Sequence, residues 1–184
     1  MTIAIKPTAS GSTIEQNGST ILTVDGSGNI AIANDLSVTG SSPLPSGPAF
    51  SAYMSSSQSL TTITLTKVQF NTEDFDTDNC FDTSTYRFTP NVAGYYQVNG
   101  ILTLIGTSGT AWVMYLYKNG SVIQNIGNQR SSGGEGGPSG SALVYMNGTT
   151  DYLEMYTLVV ATSPSIYAAS SVFNKFQAHL VRAA

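Results

Sequence analysis

Apolar and polar residues alternate in short runs from the start of the chain. Ile3/Ile5, Ile14, Ile21-Leu22-Thr23-Val24, Ile30/Ile32 and Leu36/Val38 are separated by Gly, Ser, Asn and Asp. Period-two runs bounded by turn residues predict short strands. Such strands are too short and too few to bury a core alone. Residues 1–40 therefore read as an arm that needs partners, either sister chains or another protein. Residues 41–48, Ser-Ser-Pro-Leu-Pro-Ser-Gly-Pro, read as a linker, because proline removes backbone donors and holds the chain extended. From residue 49 onward the alternation predicts strands near 49–54, 63–70, 84–90, 94–105, 111–118, 121–126, 139–146, 151–160 and 173–182. Asn119-Gly120 and Asn147-Gly148 offer the positive φ angles of tight hairpins. Strands with turns every ~8–12 residues predict a sandwich or barrel. No segment shows a convincing helical period, and Ser131–Pro138 reads as a flexible excursion between strands.

Composition sharpens this all-β reading. At 184 residues the chain fits one ordinary domain plus an extension. Charged residues make up only 10%, well below the usual ~25%; hydroxyl and amide residues fill the gap, as they often do in extracellular and virion proteins. The net charge of −4, with seven scattered Lys and Arg, argues against nucleic acid, since phosphate binding needs several cations converging. No apolar stretch reaches the ~18 residues of a membrane span. The opening Met1–Pro7 has neither a basic region nor a long apolar core, so no signal peptide is expected and synthesis in a cytoplasm is.

Enzyme chemistry finds little to stand on. His179 is the only histidine, in a predicted strand with Phe176, Ala178 and Leu180 on the opposite face, so a Ser-His-Asp triad is not expected. Cys80 is the only cysteine; it reads as a small buried apolar residue, with no intrachain disulfide available. The glycine-rich stretch 131–140 lacks the Gly-Lys-Ser/Thr ending of a phosphate loop. Asp74, Asp76 and Asp78 alternate like the start of a calcium loop, but Asn79 and Thr85 stand where its turn glycine and terminal glutamate belong. Asn17-Gly18-Ser19, Asn119-Gly120-Ser121 and Asn147-Gly148-Thr149 match the glycosylation sequon and read as turns. Tyr95, Tyr96, Trp112, Tyr115, Tyr117, Tyr145, Tyr152, Tyr156 and Tyr167 exceed the needs of one small core. A subunit interface, which favours aromatics, or stacking on sugars would use the surplus. Tyr95 and Tyr96, being consecutive, must face opposite sides of a strand.

One constellation is specific. Phe70, Asp76, Phe81, Phe88, Gly94 and Tyr96 fall at spacings that resemble the signature of the C1q-like globular head, a trimeric jelly roll related to the tumour necrosis factor fold. Val98 and Gly100 stand where that family usually has aromatics. Tyr117-Lys118-Asn119-Gly120, Ser139–Tyr145, Asp151–Met155 and Phe176–Leu180 resemble its later strands and hairpin. The resemblance implies a jelly-roll β-sandwich over 49–184, a homotrimer, and a head core containing Phe70, Phe81, Phe88, Gly94 and Tyr96. It also keeps calcium open as a cofactor, at Asp74, Asp76 and Asp78.

The segment Thr23–Gly40 resembles attachment segments of bacteriophage fibre proteins. Together the two resemblances imply a non-enzymatic virion protein, made in the host cytoplasm and displayed on the virion surface. The expected form is a short tail fibre with a receptor-binding knob, joined to other virion proteins through residues 1–40. A capsid decoration protein at threefold positions is the alternative, and a secreted C1q-like lectin the third. In a fibre, the loops at 71–79 and 128–138 would meet a host glycan or protein. Asp74, Asp78, Asn128, Gln129, Arg130 and Glu135 would offer polar groups there, grouped at one end of the head.

Overall fold

The computed structural model describes residues 3–9, 11–28, 30–32, 47–130, 134–168 and 170–184. The chain divides into two compact units, 1–44 and 45–184.

The first unit is a four-stranded antiparallel meander: β1 (Ile3–Thr8), β2 (Gly11–Gln16), β3 (Ser19–Asp25) and β4 (Ile30–Ile32). Asn17 and Gly18, both at positive φ (52° and 84°), close the β2–β3 hairpin. That pair of left-handed residues matches the twist of the flanking strands. The expected strand around Leu36/Val38 and the linker at 41–46 lie outside the described residues.

The second unit is a two-sheet sandwich. Its strands are β5 (Ala49–Tyr53), β6 (Gln58–Ser59), β7 (Thr66–Lys67), β8 (Thr72–Asp76), β9 (Phe81–Asp82), β10 (Arg87–Phe88), β11 (Ala93–Ile101), β12 (Leu104–Lys118), β13 (Ser121–Gln129), β14 (Gly134–Gly136), β15 (Ser139–Asn147), β16 (Leu153–Ile166) and β17 (Lys175–Ala183). The front sheet runs β15-β11-β17-β5-β8. The back sheet runs β13-β12-β16-β10-β9, with β14 paired to β12 and β6 and β7 paired to β16. All pairings are antiparallel. Partners far apart in sequence lie side by side, as in a jelly roll.

The core lies between the sheets. Tyr96 and Val98 from β11, Ala142, Val144 and Met146 from β15, and Phe176 and Ala178 from β17 point inward from the front sheet. Trp112, Met114 and Leu116 from β12 and Leu153, Met155 and Val159 from β16 meet them from the back. Phe50 joins the layers: its ring stacks on Phe81 at 4.7 Å and Phe88 at 4.6 Å and meets Phe176 edge-on at 5.0 Å. Phe70, Phe81, Phe88 and Tyr96 belong to this cluster, and Gly94 is buried beside it. Tyr96 donates its hydroxyl to the Val92 carbonyl at 2.8 Å; burial, with smaller contributions from Cys80 and Asp78, pushes its phenol up to about 12. Gly140 is needed for close approach, since a Cβ there would sit 1.5 Å from the Ile126 carbonyl oxygen of β13.

Several sequence expectations are corrected. The run 63–70 is not one strand: Thr66–Lys67 alone is in ladder register with β16, the Ile63 and Val68 amides bond singly to the Val159 and Met155 carbonyls, and Ile63, at φ 57°, lies in a turn. The expected strands 94–105 and 111–118 instead split at residues 102–103, and β12 runs on for fifteen residues. Residues 134–136 are not a free loop but strand β14, in register with Leu104–Gly106. Residues 72–76 likewise form β8 on β5 rather than a loop. Trp112 is wholly buried rather than a surface aromatic. Asn119-Gly120 makes the expected tight hairpin with φ 53° and 78°. At Asn147-Gly148 only the glycine is left-handed; there the Asn147 side chain accepts from the amides of Thr149, Thr150 and Asp151 and shapes a longer loop.

Candidate self-association surface

The outer face of the front sheet is assembled by strand alternation. On β11, Tyr95, Gln97, Asn99 and Ile101 point away from the core. Register places Tyr95 beside Tyr145, Gln97 beside Leu143 and His179, and Asn99 beside Ser141 and Gln177. Tyr95 and Tyr145 meet edge-on at 5.5 Å. Leu143 is 60% exposed and Val181, in the bulge opposite Tyr95/Tyr96, is 55% exposed. An aromatic and aliphatic corner therefore grades into an amide-rich surface. Large apolar groups clustered on a solvent-facing sheet mark an interaction surface rather than random exposure.

Towards β8 the face is more polar. Ser51, though on the outer side, is buried, donating to Asp74 Oδ2 at 2.6 Å and accepting from Gln177 Nε2 at 3.0 Å. Lys175 also holds Asp74 Oδ2 and lies over the Tyr53 ring at 4.9 Å. Desolvation pushes the Asp74 carboxyl up, but the hydrogen bonds from Lys175 and Ser51 outweigh it and hold the group below its ordinary value.

The acidic segment is folded into structure. Asp76 Oδ2 accepts the Phe81 amide at 2.7 Å and Oδ1 accepts the Asp78 amide at 3.4 Å, so Asp76 closes the turn between β8 and β9. Asp74 is turned to Lys175 instead. Among the described residues no three His, Cys, Asp or Glu side chains converge to hold a metal.

The polar residues expected to share one receptor surface are set apart. Asp74 lies on β8 and Asp78 just beyond it, whereas Asn128 and Gln129 lie on β13. β13 packs beside β15, the opposite edge of the front sheet from β8. Four strand spacings of ~4.8 Å put about 19 Å between those edges. Arg130 follows β13, and the exposed Glu135 lies on β14, on the same side as Asn128 and Gln129.

The back sheet carries its own network. Glu154, 2% exposed, binds Lys67 Nζ at 2.7 Å and Arg87 Nε at 2.8 Å. Arg87 lies over the Tyr152 ring at 4.1 Å, and Tyr117 packs on Tyr156 at 4.2 Å. Burial raises the Glu154 carboxyl, but the two cations overcome it and hold it below its ordinary value. No local pattern announces this triad, whose two cations lie 67 and 87 residues from Glu154. Cys80 is buried and unpaired, with its thiol raised chiefly by burial.

The C1q domain family's sequence profile matches residues 49–181, and the chain belongs to that family. Among solved structures, the globular domain of zebrafish complement 1qA protein is similar at 18% identity and a TM-score of 0.53, over 74% of this chain and 99% of that one. The Eiger TNF from S. frugiperda is similar at 10% identity and a TM-score of 0.52, over 75% of this chain and 93% of that one. These likenesses establish the C1q/TNF jelly roll as the fold of the head. No curated protein matches the sequence.

Proposed function

We propose that the protein is a non-enzymatic homotrimer displayed on the surface of a bacteriophage particle. In this reading the C1q-type head associates through the outer face of its front sheet, and the arm joins the trimer to the particle. The observation that carries the reading is the exposed corner of Tyr95, Leu143, Tyr145 and Val181, brought together on the outer face of the front sheet by the register of β15, β11 and β17. Membership of the C1q domain family, whose heads associate in threes, supports it. None of the arm residues 5–9, 11–28 and 30–32 is buried, so the arm sheet needs a partner to be stable, either sister arms or a particle protein. The likeness of Thr23–Gly40 to fibre attachment segments supports a phage particle as the place.

Within that reading the head is the receptor-binding knob of a short tail fibre. Asn128, Gln129, Arg130 and Glu135 at the β13/β14 side offer polar groups to a host glycan or protein. The test is a phage whose copy of this protein lacks residues 1–40. A soluble, folded head that is absent from purified particles is the expected result; heads still found on particles would remove the arm as the anchor. Particles carrying Asn128→Ala, Arg130→Ala and Glu135→Ala together, three exposed side chains whose loss leaves β13 and β14 paired, should assemble normally and adsorb poorly. Normal adsorption, combined with fragile particles when the whole protein is deleted, would favour capsid decoration instead.

A further inference from the structure

The arm sheet has two unlike faces. Register aligns Ile5 with Ile14, Ile14 with Leu22, and Leu22 with Ile32 across all four strands. Two residues along, Pro7, Ser12, Val24 and Ile30 form a second row on the same face. Neither row contains a charge. The opposite face carries Lys6, Thr13, Glu15 and Thr23 with the small Ala4 and Ala31, and Ile21 sits in the bulge beside it; Lys6 Nζ and Glu15 Oε2 pair at 2.6 Å. Ile5 is 72% exposed and Ile30 62% exposed, and none of residues 5–9, 11–28 and 30–32 is buried. A one-faced sheet of this kind is stable only when something covers the apolar side.

The geometry points to the occupant being the same face of two sister arms: three arm sheets close their isoleucine rows into a three-sided prism, with the Lys6–Glu15 faces outward. This inference rests on the trimer reading. A trimeric head would carry three identical arms, each covalently attached and each needing the same cover. Tethering raises their mutual concentration to the order of millimolar, ahead of any free partner. Uncharged rows oppose no self-contact, whereas like charges at a symmetric contact would repel. A threefold arrangement also closes on itself and leaves no apolar face for further addition. Contact with the particle then falls to the polar faces and strand edges of the prism.

Single cysteines test this in the purified full-length protein, away from particles. Ile14→Cys and Val24→Cys report the apolar face, Thr13→Cys the opposite face, and the parent chain, whose Cys80 is buried, is the blank. A short bis-maleimide should link Ile14→Cys and Val24→Cys into covalent multimers and leave Thr13→Cys largely unlinked. Adding Leu22→Asp should abolish the linking while light scattering still reports a trimer. A trimer in which Ile14→Cys and Val24→Cys link no better than Thr13→Cys overturns the prism and leaves the apolar face to a particle protein. A monomeric parent chain overturns the trimer reading itself, and the prism with it.

Discussion

Phe50 is the side chain on which the two layers of the head converge, and its removal gives a prediction with a calculable size. Its ring is 1% exposed and contacts Phe81 and Phe88 from the back sheet and Phe176 from the front. Phe50→Ala removes a full aromatic side chain from a site fixed on both sides by strands, so collapse around the hole is limited. Measured Phe→Ala changes in such cores cost about 3–5 kcal/mol, a range that already contains the lost ring–ring terms. Phe50→Leu keeps most of the volume but loses three aromatic pairs. At roughly 0.5–1.5 kcal/mol each and incomplete additivity, its cost is about 2–3 kcal/mol. For a domain of this size each kcal/mol moves Tm by about 2–4 °C. Scanning calorimetry at one fixed protein concentration should therefore place the alanine variant about 6–20 °C below the parent and the leucine variant between them. An alanine variant that melts within ~2 °C of the parent would refute the argument that this cluster joins the sheets.

On the outer front face, Tyr145→Asp combined with Leu143→Asp should yield a folded monomer, read as an unchanged circular dichroism spectrum with a lower light-scattering mass; a persistent trimer would place the interface elsewhere. Glu154→Gln leaves Lys67 and Arg87 without their shared anion, and because both cations are partly exposed the cost at neutral pH is about 1–3 kcal/mol. Glu154 is held below its ordinary 4.5 in the folded state, so its contribution is present above that pH and is lost as pH falls through the folded value. Denaturant titrations should show the parent weakening below about pH 4.5 and the Glu154→Gln variant weakening less steeply there.

The head was legible because its signature residues are also its packing residues. Phe70, Phe81, Phe88 and Tyr96 carry the spacing, and all four lie in the aromatic core. Local chemistry was legible too: Asn119-Gly120 is a two-residue turn whose positive φ angles are ones that asparagine and glycine adopt readily. What escaped the sequence depends on partners distant along the chain. Strand β14 exists because Gly134–Gly136 finds Leu104–Gly106, and a glycine-rich stretch gives no period to announce that. Asp74 resembled a free loop acid because Lys175 and Ser51, which bind it, lie 101 and 23 residues away. Phe50 stood outside the spacing pattern, yet its ring contacts aromatics of both sheets. The candidate surface was half-legible: alternation required Tyr95 and Tyr96 to part, and Tyr95 is 45% exposed while Tyr96 is fully buried. Its juxtaposition with Tyr145 needed the β11–β15 register.

The trimer underlies both the proposed role of the head and the arrangement of the arms, and its mass in solution tests it most directly. Multi-angle light scattering of the purified full-length chain at micromolar concentration should give a mass near three times 19.3 kDa. A single species at 19.3 kDa that persists across the concentration range would contradict the account.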